Sequence, residues 1–227
     1  MAIITISRGT MSGGRAVAQC LADRLGYPCL GREVLQTAAR TLGASEETVL
    51  HKLQTPPGPW DQITRERQTY VVAVQAALAS HCTTGNLVYH GLSGQLLLRD
   101  VPGVLRVRLI APVAMRVQAI LAQHSRTNHV AAERFIQSVD RQRRRWVRRM
   151  YGVEINDTSL YELTINLESI TLATACVMIA ELARQPHYEV TAKTRQQLQT
   201  FAADCERRVA EVIGPRPGGR PATGRGA

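Results

Sequence analysis

The residues from Gly9 to Ala16 have the types and spacing of a phosphate-binding turn. They spell G-x-x-x-x-G-R-A, whereas the Walker A loop spells G-x-x-x-x-G-K-[ST]. Arg15 keeps a permanent cation at the lysine position and can grip phosphate with two hydrogen bonds. Ala16 has no hydroxyl with which to bind a magnesium ion. The pattern indicates either an altered phosphate loop or a tight turn that merely uses glycines.

The backbone of this turn is expected to make most of the phosphate contacts. A glycine-rich turn lets successive amides point into one concavity, and the helix that follows adds partial positive charge at its N-terminus. An apolar β-branched run precedes the turn and a helical pattern follows it, which is the context that such a loop requires. The predicted nucleotide-binding residues are Gly9, Ser12, Gly13, Gly14, Arg15 and Ala16.

A strongly basic segment covers residues 141–149, where six of the nine residues are arginines. Such a density is costly through charge repulsion unless it meets anions. Three interpretations are open: a mobile lid that closes over phosphates, a solvated basic face, and a nucleic-acid-binding helix. Because the chain also has a phosphate-type turn, we favour the lid. On a helix, Arg141, Arg144, Arg145 and Arg148 share one face and Arg143 lies elsewhere, while Asp140 either orients an arginine or caps the helix.

Three further polar residues lie where a substrate could bind. His90 ends a predicted strand, and it could be a base, a phosphate contact or a histidine satisfied by the backbone. Arg32 and Glu33 open a predicted helix close to the expected substrate region, or are simply exposed. The sequence shows no Ser/His/Asp triad, no pair of carboxylates and no zinc-type spacing, so no metal ligands are predicted.

The composition restricts the function classes. A formal charge of +10 over 227 residues suits anionic ligands. Aromatic residues make up 4% of the chain, which argues against stacking on single-stranded nucleic acid. The first apolar run is too short for a signal peptide and no run reaches the length of a membrane span. We therefore expect a cytoplasmic protein without a membrane partner, whose five cysteines are mostly small buried apolar residues.

Apolar periodicity predicts an α/β fold in which strands alternate with helices. This alternation implies a parallel sheet, whose right-handed crossovers place the loops after the strands on one edge. The loops that begin at Ser7, His90, Ala111 and Asn166 are therefore expected to converge. Predicted strands cover residues 2–6, 27–30, 87–89, 104–110 and 161–166, and predicted helices cover 15–25, 32–42, 45–53, 60–80, 95–98, 170–182 and 191–213, with two more that begin at about 112 and 128.

Three segments are predicted to be irregular. Residues 55–59 hold three prolines and a glycine, which break the helical pattern. Residues 151–159 have the pattern of a loop. Residues 214–227 hold three prolines, three arginines and several glycines, which is the composition of a disordered basic tail.

The opening of the chain resembles that of the cytidylate kinase-like family of P-loop kinases. That family typically reads I-T-I-S-R, then a G-S-G-G-R type turn, and then a helix that ends in L-G-Y. The chain matches this series with residues 4–8, 12–15 and 25–27. Later segments follow in the same order: residues 104–112 resemble the family's strand into an A-P turn, residues 140–143 its lid motif D-[KR]-x-R, and residues 160–166 its last core strand, so that the similarity covers roughly residues 2–184.

The resemblance implies a P-loop NTPase-type three-layer sandwich with a five-stranded parallel sheet, a helical lid and an extra C-terminal helix. The implied reaction is phosphoryl transfer from ATP to a nucleoside monophosphate or a similar small acceptor, and the implied partner is a nucleotide or a small phosphorylated substrate. Magnesium would be held largely by ATP and water. Residues 1–184 would form the kinase-like domain with its lid at about 125–159, residues 185–213 a helical extension and residues 214–227 the tail. Arg15, Arg141 and Arg143 would be catalytic, and Arg32, Glu33, His90 and Asp140 would lie near the substrate.

Departures from the family pattern keep a second hypothesis open. Gly31 stands in place of the aspartate of Y-D-[KR]-E, Leu92 in place of the arginine of V-G-R-G-A, and Ala16 brings no metal-binding hydroxyl. A nucleotide-binding regulator that has lost catalysis fits these departures. A nucleic-acid-binding protein that uses the basic segment and the tail is the third hypothesis, and cytidine specificity does not follow from the family name.

Overall fold

A computed structural model of the protein describes residues 1–54, 65–124 and 126–213. The proline-rich break at 55–59, the predicted helix start at residue 60 and the basic tail at 214–227 lie outside the described residues.

Five parallel strands form one sheet, which confirms the predicted α/β class. The strands are β1 (Ile3–Arg8), β2 (Cys29–Leu30), β3 (Leu87–Tyr89), β4 (Val104–Ile110) and β5 (Leu163–Asn166). Their order across the sheet is β2-β3-β1-β4-β5, so β1 is central and pairs with β3 and β4. The strand order reverses beside β1, which is where ligands bind in open α/β sheets.

Nine α-helices are described in these ranges. Gly26 and Gly152, both in the left-handed region, end the first and the seventh helix, and Asn128 caps the start of the seventh by accepting a hydrogen bond from the Ala131 amide. The helices are α1 (Gly14–Leu25), α2 (Glu33–Leu42), α3 (Glu46–Gln54), α4 (Arg65–Cys82), α5 (Gly94–Leu97), α6 (Val113–Gln123), α7 (His129–Tyr151), α8 (Leu172–Ala183) and α9 (Ala192–Ile213).

Two segments differ from the sequence prediction. The predicted loop at 151–159 starts one residue later, because α7 continues to Tyr151. The last strand starts at Leu163 instead of Tyr161, because the Tyr161 amide closes a 3-10 turn on the Thr158 carbonyl. The Tyr161 side chain then turns into the core, where its hydroxyl donates to the Ile155 carbonyl at 2.8 Å.

Helices cover both faces of the sheet, which gives the expected three layers. Alternate residues of β1 point to opposite faces: Ile4 and Ile6 pack with α1 and α8, and Ile3 packs with α2 and α4. All three side chains are fully or almost fully buried. The two apolar clusters fix the position of β1 and therefore of the turn that follows it.

The C-terminal helix α9 packs along α4. Its buried residues are Leu198, Ala202, Cys205 and Val209, and their helical spacing makes a continuous apolar stripe. The stripe adds to the cluster on the α4 side of the sheet. This helix is therefore part of the core of the described chain.

A disulfide joins Cys20 of α1 to Cys176 of α8, a pairing that the sequence did not indicate. The remaining cysteines, Cys29, Cys82 and Cys205, are free thiols. Within the described ranges, no helix is long and apolar enough to cross a membrane.

Candidate active site

The glycine-rich turn leaves the central strand at its carboxyl end. The Ser12 hydroxyl donates to the Gly9 carbonyl at 3.0 Å, and Gly13 has a φ of +78°, which only glycine adopts without strain. A side chain at Gly13 would also lie 2.9 Å from the Leu172 methyl carbon Cδ2. Among the described residues, none accepts a hydrogen bond from the amides of residues 12–15. The turn therefore presents a row of free donors at the start of α1, as an anion cradle does.

Met11 is a strained residue within this turn. Its φ is +60°, a left-handed conformation that costs a non-glycine residue about 1–2 kcal/mol. It stands one residue before Ser12, where the family's G-S-G-G-R turn begins with glycine. The Met11 side chain packs against an apolar cluster from α6 and α7, which consists of Val117, Ile120, Ala132 and Ile136.

The first half of the turn is tied to α6 and α7. The Asp140 carboxylate accepts hydrogen bonds from the Thr10 amide at 3.0 Å and from its hydroxyl at 2.8 Å. Arg116, which is 8% exposed, donates to the Thr10 carbonyl at 2.7 Å and pairs with the other Asp140 oxygen. Burial alone would raise the pKa of Asp140, but the hydrogen bonds from Arg116 and Thr10 outweigh it and lower this pKa. Asp140 is therefore ionised and joins the turn to α7.

Two half-buried arginines lie side by side at the end of β1. Arg143 of α7 donates to the Arg8 carbonyl at 2.8 Å, and the Arg8 guanidinium donates to the His90 carbonyl. Burial, followed by the charge on Arg143, lowers the pKa of Arg8 to about 10. Burial also lowers the pKa of Arg143, although Asp140 acts in the opposite sense. Both guanidiniums remain charged at neutral pH and are poorly neutralised by the protein, which favours a bound anion between or beside them.

His90 fills the space that a side chain at residue 31 would need. A Cβ on Gly31 would lie 2.6 Å from the His90 ring carbon Cε1, so the loss of the family's aspartate at Gly31 goes together with the histidine here. Nδ1 of His90 is buried and has no hydrogen-bond partner among the described residues. Burial, followed by the charge on Arg8, lowers the pKa of His90, so its imidazole is neutral at pH 7.

A cavity of about 220 Å³ opens between β3 and helices α2 and α3, and we call it the β3-side cavity. None of its described lining residues is an aspartate or glutamate. Glu33 is engaged outside it by the Gly31 amide at 2.6 Å, and this hydrogen bond lowers the pKa of its carboxyl. The polar residues that line the cavity include Arg8, Arg32, Gln54, His90, Ser93 and Arg143.

A second cavity, of about 410 Å³, lies on the opposite side of the turn and is mainly apolar. It lies between the turn, α6 and the loop that precedes α8. We call it the apolar cavity; its lining includes Met11, Met115, Leu167, Ile170 and Leu172.

The structure brings together most of the predicted site residues. Asp140, Arg143 and His90 all lie within one or two contacts of the turn. Arg15 and Ala16 are exposed at the start of α1. Arg32 lies at the cavity rim, where it pairs with Glu46 at 2.6 Å. Arg141 is exposed on the outer side of α7, so Arg143 is the member of the predicted arginine pair that lies in the site.

Sequence reasoning missed three residues of the site: Arg8, Thr10 and Arg116. Each makes its site contact with a residue more than 20 positions away. Arg8 did stand within the quoted I-T-I-S-R motif, and Arg116 stood on the apolar side of a predicted helix. An arginine on an apolar helix face is the signal that was available, because such a residue is rarely buried without a partner.

The described residues offer few ligands for a metal ion. The described residues contain no group of three His, Cys, Asp or Glu side chains that could hold one. Ala16 has no hydroxyl and the Ser12 hydroxyl is engaged with Gly9. A magnesium ion would therefore fit only as a partner of nucleotide phosphates and water, with no protein cage.

Several solved structures are similar to this chain at low sequence identity. An uncharacterized protein from Eubacterium ventriosum is 17% identical, with a TM-score of 0.62 over 80% of this chain and 97% of that one. A shikimate kinase from Acinetobacter baumannii, in complex with shikimate, is 16% identical (TM-score 0.45, 80% and 92% covered). A gluconokinase from Sinorhizobium meliloti is 13% identical (TM-score 0.44, 93% and 95% covered). No curated protein sequence matches the chain significantly.

The family model of the cytidylate kinase-like family matches residues 3–169. This range begins with β1, includes the glycine-rich turn and α7, and ends after β5. The motifs quoted above and the parallel sheet agree with that match, and the chain belongs to the cytidylate kinase-like family.

Proposed function

We propose that this protein transfers the γ-phosphoryl group of ATP to a nucleoside monophosphate or a similar small phosphorylated acceptor. The observation that carries the proposal is the row of free amides at residues 12–15, of which Ser12 and Gly13 line the apolar cavity. The arginine-lined β3-side cavity lies at Arg8, just before the turn. A phosphoryl donor and an anionic acceptor need such neighbouring sites on either side of the transferred group.

The donor would lie over the turn. Its phosphates would accept hydrogen bonds from the amides of residues 12–15, with the Arg15 side chain in place of the usual lysine. The apolar cavity beside Met11 and Leu172 would hold the base. Magnesium would be held by the nucleotide and water, since Ala16 supplies no ligand, and it would offset the negative charge of the phosphates.

The acceptor would lie in the β3-side cavity. A hydroxyl acceptor is normally oriented by a carboxylate that takes its proton, whereas a phosphate oxygen is already an anion and needs none. The described lining of this cavity has arginines and no acid, which favours a phosphate as the nucleophile. Arg8 and Arg143 would neutralise that phosphate, and neutral His90 would accept or donate a hydrogen bond to the acceptor.

The lid would act mainly through Arg143. Its guanidinium lies beside the end of β1, where charge develops on the transferred phosphoryl group, and a positioned arginine stabilises that charge. Arg141 would contribute only if α7 moved. In this proposal residues 1–184 form the kinase-like domain, and residues 185–213 form an extension that packs on α4.

A coupled assay over nucleoside monophosphates tests the proposal, with the matching nucleosides as acceptors that lack the phosphate. We expect turnover on at least one monophosphate and none on its nucleoside. Arg143→Met should lower kcat/KM about 100-fold and Arg15→Ala about tenfold or more. Arg145→Met, an exposed arginine on the same helix, should change kcat/KM less than twofold. Absence of turnover on every acceptor, despite ATP binding, would contradict the enzyme assignment.

The second candidate is a nucleotide-binding regulator without catalysis. It is favoured by Ala16 and by the replacement of the family's acidic side chain at Gly31. It predicts that ATP raises the melting temperature while phosphoryl transfer stays undetectable. A nucleic-acid role for the exposed arginines of α7 is less favoured, and it predicts steeply salt-dependent binding that is lost when those arginines are removed.

We place the protein in the cytoplasm, where ATP and nucleoside monophosphates are available. Disulfides are uncommon in reducing compartments, so this placement predicts that Cys20 and Cys176 are thiols in growing cells and pair on oxidation. Alkylation of intact cells before lysis, followed by peptide mass spectrometry, measures the fraction of each cysteine that is reduced.

A further inference from the structure

A third cavity, of about 220 Å³, lies between the end of β4 and the lid, and we call it the β4-side cavity. Five arginines and a single carboxylate, Asp140, are among its described lining residues. Both oxygens of Asp140 are engaged, one by Thr10 and the other by Arg116. Three of the five arginines, Arg8, Arg108 and Arg144, form no ion pair among the described residues. Arg143 has only a contact of 3.9 Å with the Asp140 oxygen that Thr10 already engages.

Arg108 is the residue of this cavity whose surroundings are most unusual for a cation. Its guanidinium donates to the Ser7 hydroxyl at 3.1 Å and to the Asn156 side-chain oxygen at 2.5 Å, and it lies 5.5 Å from the Tyr161 ring centre. All of these partners are neutral. In the described ranges, no carboxylate forms an ion pair with Arg108. Arg108 and Arg143 both line this cavity, and the charge of Arg108 adds to the effect of burial in lowering the pKa of Arg143.

This cavity is separate from the amide cradle. Of the glycine-rich turn, only Gly9 lines it, and the free amides at residues 12–15 do not. Arg8 and Arg143 line both this cavity and the β3-side cavity, so they form the partition between the two. A ligand laid across this partition would meet arginines on both sides.

We propose that the β4-side cavity is a second anion subsite, which takes a phosphate-like group of the acceptor. The inference rests on the proposed function for its substrate class: the acceptor would carry two anionic groups, of which one receives the phosphoryl group and the other binds Arg108, Arg144 and Asn156. A nucleoside bisphosphate has this chemistry. Free inorganic phosphate shares it and would occupy the subsite alone.

Binding of inorganic phosphate to protein saturated with a non-hydrolysable ATP analogue tests the subsite without activity. The analogue fills the amide cradle, so phosphate should still bind, and Arg108→Met should weaken it at least tenfold. Arg106→Met is the matched control: Arg106 lies two residues earlier on β4, pairs with Glu162 at 2.5 Å and does not line the cavity, so it should change affinity less than twofold. Arg144→Ala removes an exposed arginine and should weaken binding about threefold even if Arg108→Met fails to fold.

Competition between phosphate and the ATP analogue, or equal phosphate affinity in Arg108→Met and wild type, would overturn the subsite. The substrate class is tested by kcat/KM on a nucleoside 5′-monophosphate and on the same nucleotide with a second phosphate. The kcat/KM for the bisphosphate, divided by that for the monophosphate, should exceed one in the wild type. This ratio should be at least tenfold lower in Arg108→Met than in Arg106→Met. If no acceptor turns over, the proposed function fails while the phosphate titration still decides the subsite. If monophosphates turn over and the ratio is unchanged by Arg108→Met, the proposed substrate class alone is wrong.

Discussion

The two halves of the glycine-rich turn are held in opposite ways. Residues 8–10 are fixed by side chains from elsewhere in the chain: Arg116 and Asp140 hold Thr10, and Arg143 holds the Arg8 carbonyl. Residues 12–15 make no such contacts, and their amides are free in the described structure. We call these segments the held half and the open half.

This difference shows how one short turn can be shaped before its ligand arrives and still leave donors for it. The polar groups of the held half form hydrogen bonds with other parts of the protein. These bonds fix the positions of α6, α7 and β1 relative to one another. The open half relies on backbone conformation and glycine to keep its amides exposed. The carboxylate of Asp140 therefore has an indirect role, because it positions the turn without lying in the cradle.

Removing the Asp140 carboxylate, which binds Thr10 of the held half, should have the largest effect on stability. Asp140→Ala leaves the buried Arg116 guanidinium without its partner, and we expect a loss of about 3–5 kcal/mol in the free energy of unfolding by urea. The double variant Arg116→Met/Asp140→Ala should cost less than the sum of the single changes. Glu133→Ala, on the same helix, should cost less than about 0.5 kcal/mol. Additive costs in the double variant would contradict the coupling.

The open half is braced from outside by the disulfide, whose loss should have the next largest effect. Cys176 lies on α8, and α8 begins at Leu172, which stands against Gly13. Cys20→Ser should reduce the free energy of unfolding under oxidising conditions by about 2–4 kcal/mol. Cys29→Ser, at a free and partly buried cysteine, should change it much less. Reductant should bring the wild type to the level of Cys20→Ser, and an unchanged wild type would refute the brace.

A side chain in the open half should weaken nucleotide binding with only a moderate loss of stability. Gly13→Ala puts a methyl group at a φ of +78° and 2.9 Å from Leu172, and we expect affinity for an ATP analogue to fall about tenfold, or about 1.4 kcal/mol. Gly26→Ala is matched in backbone strain, since Gly26 has a φ of +68°, but its added methyl group meets nothing. Gly26→Ala should lower the free energy of unfolding by a similar amount, about 1–2 kcal/mol, and leave the affinity for the ATP analogue unchanged. Equal affinities in the two variants would show that the amides of the open half do not bind the nucleotide.

The smallest expected effect is the pH dependence of the stability that Asp140 contributes through its bonds to the held half. The folded-state pKa of Asp140 lies below its unfolded value, so its contribution to stability is fully present above pH 4 to 5 and is lost as the pH falls through the folded-state value. The stability difference between wild type and Asp140→Ala should therefore narrow at acid pH. Urea unfolding at pH 7, 5, 4 and 3 measures it. A difference that is constant down to pH 3 would mean that the carboxylate is not held by charge-assisted hydrogen bonds.

Local patterns were sufficient to predict most of the strands and helices and the position of the glycine-rich turn. The apolar runs and their turns predicted five strands and a parallel sheet, because burial on both faces leaves continuous apolar strands. The spacing of Gly9, Gly14 and Arg15 predicted the position of the phosphate-type turn. The predicted ends of the elements were less accurate. Tyr161 lies before β5 instead of within it, and its side chain packs in the core. Whether a residue joins a strand depends more on its packing neighbours than on its local propensity.

The choice among the lid arginines required the tertiary structure. The sequence predicted both Arg141 and Arg143 in the site. It also put Arg141 on one helix face with Arg144, Arg145 and Arg148, and Arg143 elsewhere. In the fold, the buried Trp146 and Val147 set the rotation of α7, and Arg143, three residues before Trp146, shares their inward side. Arg141 then lies outside. The helical spacing showed that Arg141 and Arg143 lie on different faces of α7. The neighbouring sequence did not indicate which of these faces would contact the glycine-rich turn.

The sequence by itself determined the family, the order of the elements and the glycine backbone of the open half, because each depends on residues that are neighbours along the chain. The tertiary structure alone decided the contacts of the held half, the pairing of Cys20 with Cys176, the packing of α9 on α4 and the arginine-lined cavity beside Arg108. Those features join residues that are tens to more than a hundred positions apart. Their partners become neighbours only when the sheet and its covering helices have packed, which local periodicity does not encode.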